Sequence, residues 1–249
     1  MRRWLARALL SVRSVCDDWA MKANSIRARV RAEMTDEIKE TARRHLQTEG
    51  ANLSLRAVAR DLGMVSSAIY RYFPSRDDLL TALILDAYNA LGETAEHAVS
   101  LVPPQAPADR WLALAHAVRD WAVAHPHEYA LIYGSPVPGY HAPEDTVAAG
   151  IRAVTVLGRI LQDAAESDTL DRIDDPLPPP DSVENLKRVC AVIAPSVRLE
   201  TVARALSAWV TLFGQVSFEI FGQMRNTINH PAEFFDHQMR AQARYIGLR

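Results

Sequence analysis

The chain has 249 residues, which is enough for one large domain or two unequal ones with a sizeable core. Apolar residues make up 49% and charged residues 23%, as in globular proteins, and no apolar run approaches the ~18 to 20 residues of a membrane span. The net charge is only −2, yet residues 1–80 carry 15 Lys and Arg against 10 Asp and Glu, whereas the remainder carries 13 against 20.

The first 33 residues are predicted to be a flexible N-terminal extension. Arg7 and Arg13 interrupt the apolar stretch that a signal peptide would need, so no export signal is indicated. Cys16 and Cys190 belong to no C-x-x-C pair, and neither a disulfide framework nor a zinc site is expected. This cysteine usage fits a reducing cytoplasm.

Helices are predicted throughout, because apolar residues recur at spacings of three and four and no alternating strand pattern competes. The first begins near Thr35 and ends at Gly50. The second runs from Ser54 to Leu62, the third from Val65 to Tyr72, and a long fourth from Ser75 to Val99. We predict an all-α protein with a small three-helix domain over residues 34–80.

A larger helical domain is predicted over residues 81–249. Its expected helices hold Trp111 to Trp121, Pro126 to Tyr133, Glu144 to Ala165, Arg198 to Met224 and Pro231 to Tyr245. An acidic, proline-rich connector over residues 168–180 is expected to be exposed and mobile.

The segment Leu55 to Phe73, LRAVARDLGMVSSAIYRYF, has the pattern of two helices that cross tightly. Ala59 permits close approach, and Gly63 supplies a left-handed turn between the helices. The small core of this motif is predicted to contain Val58, Leu62, Ile69 and Tyr72. The pattern is typical of a helix-turn-helix.

The third helix is predicted to pack through Val65, Ala68, Ile69 and Tyr72 and to turn a polar face outward. Hydroxyls and Arg on that face suit a helix in the major groove of DNA, with flanking residues on the phosphates. A helical hairpin with an ordinary solvated face is the alternative. The predicted DNA-binding residues are Ser54, Arg56, Ser66, Ser67, Tyr70, Arg71, Tyr72 and Arg76.

The block Gly63 to Leu80, GMVSSAIYRYFPSRDDLL, resembles the signature of the tetracycline-repressor (TetR/AcrR) family. Tyr72 stands where His is common in that family, and Arg76-Asp77 replaces the more frequent Lys-Glu. The resemblance implies an all-helical homodimer that binds a palindromic operator in double-stranded DNA and is released by a small apolar or amphipathic effector, without a cofactor.

The C-terminal half resembles a subgroup of that family whose domain is named for a Trp-His-Gly (WHG) motif. Trp209 and Gly214 match the Trp and the Gly, but Phe213 stands where the His would fall. The segments His125 to Tyr129 and Tyr133 to Pro136 are similar to the middle of that domain.

Large aromatic residues of the C-terminal half are expected to line an effector pocket. Any one of them taken alone is more simply explained as core, because large apolar residues are mostly buried. The predicted ligand-binding residues are Trp111, His116, Trp121, Tyr129, Tyr133, Trp209 and Phe213. The homodimer is predicted to be joined through the last two helices. The predicted interface residues are Leu199, Val202, Leu206, Val210, Val216 and Phe221.

An enzyme is the rival class, and the sequence gives it little support. His116, His125, His127 and His141 lack the spacing of a helical metal site, and Gly134-Ser135 is not part of a G-x-S-x-G nucleophile elbow. No catalytic residue, metal or cofactor is predicted. A helical protein-interaction module is a third class, which a lack of sequence-specific DNA affinity would favour.

Overall fold

The computed structural model describes residues 26–48, 50, 52–174, 176 and 179–249. Within these residues the chain is helical, without a strand, and only Leu170 and Leu248 form an isolated antiparallel bridge. The chain divides between Leu79 and Leu80 into two compact units. The helices are α1 over residues 26–48, α2 Leu55–Asp61, α3 Ser66–Ile69, α4 Arg76–Ser100, α5 Pro107–Ala124, α6 Pro126–Tyr133, α7 Thr146–Gly150, α8 Arg152–Glu166, α9 Pro180–Ile193, α10 Leu199–Ile220 and α11 Pro231–Ile246.

Helix α1 is longer than the sequence predicted, and the expected start near Thr35 is wrong. The chain is already helical at residue 26. The Thr35 hydroxyl donates to the Arg31 carbonyl at 2.8 Å, inside the helix, instead of capping its first turn. No proline or glycine interrupts residues 26–34. Residues 1–25 of the expected extension lie outside the described residues.

The first unit is held by a core between α1, α2 and the residues around α3. Ile38, Ala42 and Leu46 of α1 are buried as predicted. His45 and Asp61 tie α1 to the end of α2, with 2.7 Å between Nε2 and Oδ2. This unit is therefore a packed domain, in which a short helix can be held in a fixed orientation.

The second unit is organised around α5, which packs against α6, α8, α10 and α11. Leu114 and Val118 of α5 are fully buried, and the two ends of the unit are linked where the Trp111 indole donates to the Met239 carbonyl of α11 at 2.9 Å. Helix α8 crosses the end of α9 closely at Gly158, where a Cβ would lie 2.5 Å from the Ile193 carbonyl oxygen. A side chain at that position would push the helices apart.

Two features of the second unit differ from the prediction. Helix α9, whose Leu186 and Cys190 are buried, was not predicted from the sequence. The predicted helix over 144–165 is interrupted at Ile151, directly after Gly150, a residue that weakens helices. The described part of the connector is also anchored at several points.

Two of the bonds that hold the described part of the connector reach the end of α11 and α10. The amide of Asp171 donates to the Gly247 carbonyl at 2.7 Å, and the guanidinium of Arg204 donates to the Ile173 carbonyl at 3.2 Å. These bonds contradict the expectation that the whole connector is mobile. No helix of the described chain is both long and apolar enough to cross a lipid bilayer.

Candidate functional site

The turn between α2 and α3 is built on Gly63. Its φ of 65° lies in the left-handed region, where a Cβ causes strain. The Gly63 amide donates to the Arg60 carbonyl at 3.0 Å and the Met64 amide to the Ala59 carbonyl at 2.8 Å, the bond pair of a Schellman cap. A Cβ at Gly63 would meet no atom within 4 Å, so conformation and not crowding requires glycine. The predicted left-handed turn is confirmed.

Ile69 is the buried anchor of α3, and Val58 and Ala59 of α2 are buried as well. Leu62 is only half-buried. The placement of Val65 on the packed face is wrong, because this residue is 71% exposed. It precedes α3 with a ψ of 136°, and this extended backbone removes it from the helical periodicity used to place it.

The polar residues of α3 and of the turn that follows it face solvent, as predicted. Ser66, Ser67, Tyr70 and Arg71 are all exposed. Since α3 covers only four residues, Tyr70 and Arg71 lie in a turn where the Arg71 amide donates to the Ala68 carbonyl at 3.2 Å. The surface thus presents hydroxyls and a guanidinium, and α3 itself contains no carboxylate that could neutralise the guanidinium.

A shallow depression of about 310 Å³ brings four of the predicted DNA-binding residues together. Ser54, Arg56, Tyr70 and Arg76 line it, from the start of α2, the turn after α3 and the start of α4. The Ser54 oxygen accepts from the Ala57 amide at 3.4 Å as the N-cap of α2, which leaves its O–H free to donate elsewhere.

Contacts at the start of α4 restrict how Arg76 can bind DNA. The Nε of Arg76 donates to the Leu53 carbonyl at 3.2 Å, which joins α4 to the segment before α2. The Asp78 amide donates to the Ser75 hydroxyl oxygen at 3.1 Å. Asp77 and Asp78 also place negative charge in the first turn. These two carboxylates repel a phosphate from the amides at this helix terminus.

Arg31 supports the candidate DNA-binding surface, although the sequence pattern did not predict a role for it. Its guanidinium donates to the Arg71 carbonyl at 2.8 Å and lies 5.4 Å from the centre of the half-buried Tyr72 ring. It thereby fixes the chain just after α3. Residue spacing gives no signal for such a contact, because Arg31 lies 40 residues before its partner in a segment assigned to the extension.

Four of the seven predicted ligand-binding residues form one aromatic cluster in the second unit. The Tyr133 and Phe213 ring centres are 4.4 Å apart, those of Trp209 and Phe213 4.8 Å, and those of Tyr129 and Tyr133 5.3 Å. The buried Tyr129 hydroxyl also bonds with the Ser217 hydroxyl at 2.7 Å. Burial raises the pKa of Tyr133 far above its usual value, so this phenol stays neutral.

The other three predicted ligand-binding residues lie apart from this cluster. Trp111 is fully buried, and Trp121 stacks on His125 at 5.3 Å between ring centres. His116 lies 3.0 Å from Asp236, a carboxyl whose pKa is held below its usual range by Arg240 and then by His116. These three residues have structural partners of their own.

A cavity of about 510 Å³ lies beside the aromatic cluster, between α4, α6, the loop after α6, and α7. None of the seven predicted ligand-binding residues lines it. Tyr88 connects the two features, because it lines the cavity and its ring meets that of Tyr133 edge-on, with 6.0 Å between centres. Its lining includes Ile84, Tyr88, Ile132, Val137, Tyr140 and Ile151.

The residues predicted for dimerisation fall into three sets by their exposure along α10 and its C-cap. Val202 and Val216 are buried inside the second unit, so they are not available to a partner. Leu199 and Leu206 are half-buried. Val210 is 70% exposed and Phe221 45%, and Phe218, which was not in the predicted set, is 55% exposed.

The histidines considered for catalysis do not converge. His125 Nδ1 bonds with the Trp121 carbonyl at 2.9 Å, and His116 pairs with Asp236. Among the described residues, no group of three or more His, Cys, Asp or Glu side chains is arranged to hold a metal ion.

Two family models match the chain. Residues 38–83 match the model described as bacterial regulatory proteins of the tetR family. Residues 111–242 match the tetracyclin repressor-like C-terminal domain. The WHG subgroup stays a prediction.

Two sequence relatives and two solved structures are similar over most of the chain. The HTH-type transcriptional regulators Rv1816 of Mycobacterium tuberculosis (strain ATCC 25618 / H37Rv) and Mb1846 of Mycobacterium bovis are each 39% identical over 213 residues, 84% of this chain and 91% of theirs. The crystal structure of the regulatory protein SCO4313 matches with a TM-score of 0.69 and 32% identity, over 86% of this chain and 97% of that one. A Rhodococcus sp. RHA1 protein of unknown function matches with a TM-score of 0.63 and 25% identity, over 86% of this chain and 94% of that one.

Proposed function

Because the chain belongs to the TetR family of bacterial regulatory proteins, we propose that it is a homodimeric repressor that binds a palindromic operator and is released by a small apolar or amphipathic effector. It is a transcriptional regulator and not an enzyme, as its relatives are regulators. Its place of action is the cytoplasm, where its DNA partner lies.

The exposed polar surface of α3 is the observation that carries the DNA-binding part of the proposal. Ser66, Ser67, Tyr70 and Arg71 face solvent, while Ile69 anchors the helix. Serine hydroxyls and Arg reach base edges or phosphates in a major groove. Ser54 and Arg56, beside the depression, are assigned to the flanking backbone, with Tyr72 and Arg76 in supporting positions.

An anisotropy titration with labelled DNA from upstream of the gene tests this assignment. We expect Tyr70→Ala and Arg71→Ala to weaken binding by about 5- to 150-fold, the effect of ~1 to 3 kcal/mol, with little change in melting temperature. Arg188→Ala is the matched control, because Arg188 is exposed on α9 in the second unit. Undiminished affinity in both α3 variants contradicts the assignment.

The exposed stripe of α10 supports a homodimer. Val210, Gly214 and Phe218 follow one another at intervals of four and share one helix face. Val210 and Phe218 are exposed, and a Cβ at Gly214 would meet no atom within 4 Å. A contiguous exposed apolar face marks an interaction site, and a two-fold dimer uses the same face on both copies. A dimer also lets two recognition helices enter successive major grooves about 34 Å apart.

Helix α4 is proposed to carry the signal from effector to DNA. It is continuous from Arg76 to Ser100, without a flexible linker. In its C-terminal half, Arg152 of α8 donates twice to Glu96 at 2.8 Å and packs its side chain over Gly92. An effector shifts operator affinity only by its differential affinity for two orientations of this helix. Inserting Gly-Gly after Leu91 is expected to prevent the effector from releasing the operator, while the effector itself still binds.

A further inference from the structure

The cavity between α4, α6, the following loop and α7 has a wall without formal charge. No Lys, Arg, His, Asp or Glu is among its lining residues. Ile84, Ile132, Val137 and Ile151 supply much of the apolar wall. Its volume of about 510 Å³ lies within the range of small-molecule sites, roughly 300 to 1,000 Å³.

Four lining side chains carry a hydroxyl, namely Tyr88, Ser135, Tyr140 and Thr146, and the Thr146 hydroxyl donates to the Pro143 carbonyl at 2.6 Å. The two phenols belong to α4 and to the loop after α6. The Tyr88 hydroxyl donates to the Ile132 carbonyl at 3.3 Å, and the Tyr140 hydroxyl bonds with that of Thr81 at 2.9 Å. Burial, and then the neighbouring Tyr140, raise the pKa of Tyr88, so this phenol is neutral at neutral pH. Each phenol oxygen keeps acceptor capacity for a ligand hydroxyl or amide.

The arginine next to the cavity in sequence already has carboxylate partners. Arg152 directly follows the lining residue Ile151, but its guanidinium is held by Glu96 at 2.8 Å and by Glu93 at 3.4 Å. Glu144 and Asp145, exposed just before α7, add negative charge on that side. An anionic ligand would therefore lose hydration without gaining a counter-ion.

We infer that this cavity binds an uncharged, mainly apolar molecule that carries one or two hydrogen-bonding groups at its Tyr88–Tyr140 end. The role of that molecule as the effector rests on the proposed function. The effector site then lies beside the aromatic cluster and not within it, and the cluster supports the Tyr88 ring through its edge-on contact with Tyr133.

A matched pair of fluorescent probes tests the charge requirement on the full chain without DNA. N-phenyl-1-naphthylamine is neutral, and 8-anilino-1-naphthalenesulfonate is the same ring system with an added sulfonate. We expect one neutral probe to bind per chain, and the anion to bind about tenfold or more weakly. Equal or tighter binding of the anion overturns the inference.

A cavity-filling variant locates the probe. A Cβ at Gly150 would lie 3.6 Å from the Tyr88 ring, so Gly150→Leu directs a side chain into the cavity. Ala148→Leu adds the same side chain at an exposed position of α7 and is the control. We expect Gly150→Leu to weaken the neutral probe about tenfold or more and Ala148→Leu to leave it unchanged, with unfolding temperatures confirming that both variants fold.

Unchanged probe binding in folded Gly150→Leu overturns the location of the site. Because the titration contains no DNA, this result leaves the operator-binding proposal standing. Conversely, if the chain binds the neutral probe in the cavity but does not bind upstream DNA, the proposed function is contradicted and the cavity site stands.

Discussion

The helix-turn-helix region and the second unit differ in how far apart in sequence their decisive contacts lie. The turn at Gly63 is made by hydrogen bonds between residues within five positions of each other. In the second unit, Trp111 bonds to Met239 across 128 positions and Tyr129 to Ser217 across 88. A local motif can therefore specify a surface directly, whereas a cavity depends on which distant helices pack together.

The two regions also differ in what their aromatic residues do. Tyr70 is exposed beside α3, where it is available to a partner. Trp111 and Tyr129 are fully buried, and their polar atoms bond to the protein itself. Aromatic residues of the second unit thus act first as core, and the cavity lies next to them.

The strongest test of this contrast is Trp111→Ala. We expect the free energy of unfolding to fall by about 3 to 5 kcal/mol, as for other buried Trp truncations, with the Met239 carbonyl losing its donor. Chemical denaturation measures the effect, and Trp209→Ala, at a half-buried position, is expected to cost less. Unchanged stability together with a loss of effector affinity would indicate that Trp111 binds the effector and is not simply a core residue.

A charge on the exposed stripe of α10 tests whether the second unit provides the dimer contact. Val210→Glu is expected to raise the dimer dissociation constant by about 30- to 150-fold, roughly 2 to 3 kcal/mol, because a carboxylate would be buried against its copy. Sedimentation velocity over a concentration series gives the constant. Thr211→Glu, at the neighbouring half-buried position, shows whether the effect is confined to the stripe. A wild-type chain that is monomeric at micromolar concentration contradicts the dimer.

Gly63→Ala probes the local turn of the first region. The left-handed φ of 65° strains any residue with a Cβ, so we expect a loss of about 1 to 2 kcal/mol in unfolding free energy. Gly63→Asn is the control, because Asn visits the left-handed region more readily than Ala does, and it should cost less in unfolding free energy. Equal stability of the two variants would show that the turn tolerates another conformation.

Arg31→Ala is expected to have the smallest effect. Losing its bond to the Arg71 carbonyl should loosen the chain after α3 and weaken operator binding about fivefold, near 1 kcal/mol. Because Arg31 acts here as a positioning residue, the slope of log affinity against log salt should stay nearly unchanged. A slope reduced by about 0.9 would instead assign Arg31 to a phosphate.

The sequence predicted most of the fold because amphipathic periodicity and helix-ending residues are local signals. It located α2, the Gly63 turn and the start of α6 at Pro126. It failed at Val65, where the backbone leaves the helical period, and at α9, which follows a run of prolines.

The candidate sites were predictable to different degrees, because only local patterns can be recognised in the sequence. The exposed polar residues of α3 follow from a single short segment. The cavity pairs Tyr88 of α4 with Tyr140 of a loop, and no spacing rule relates these two positions. Val202 and Val216 share the apolar periodicity of α10, but only packing decides which face of a helix meets its own unit.

Footprinting of the upstream DNA with hydroxyl radicals tests the central claim most directly, because it reads DNA binding and dimer symmetry in one measurement. A homodimer with two recognition helices predicts two related protected half-sites, with centres separated by about 10 to 10.5 base pairs or a multiple of that spacing. Protection should disappear with Arg71→Ala at the same protein concentration and persist with Arg188→Ala. A single unpaired protected patch, or no protection by the wild-type chain, would contradict the account.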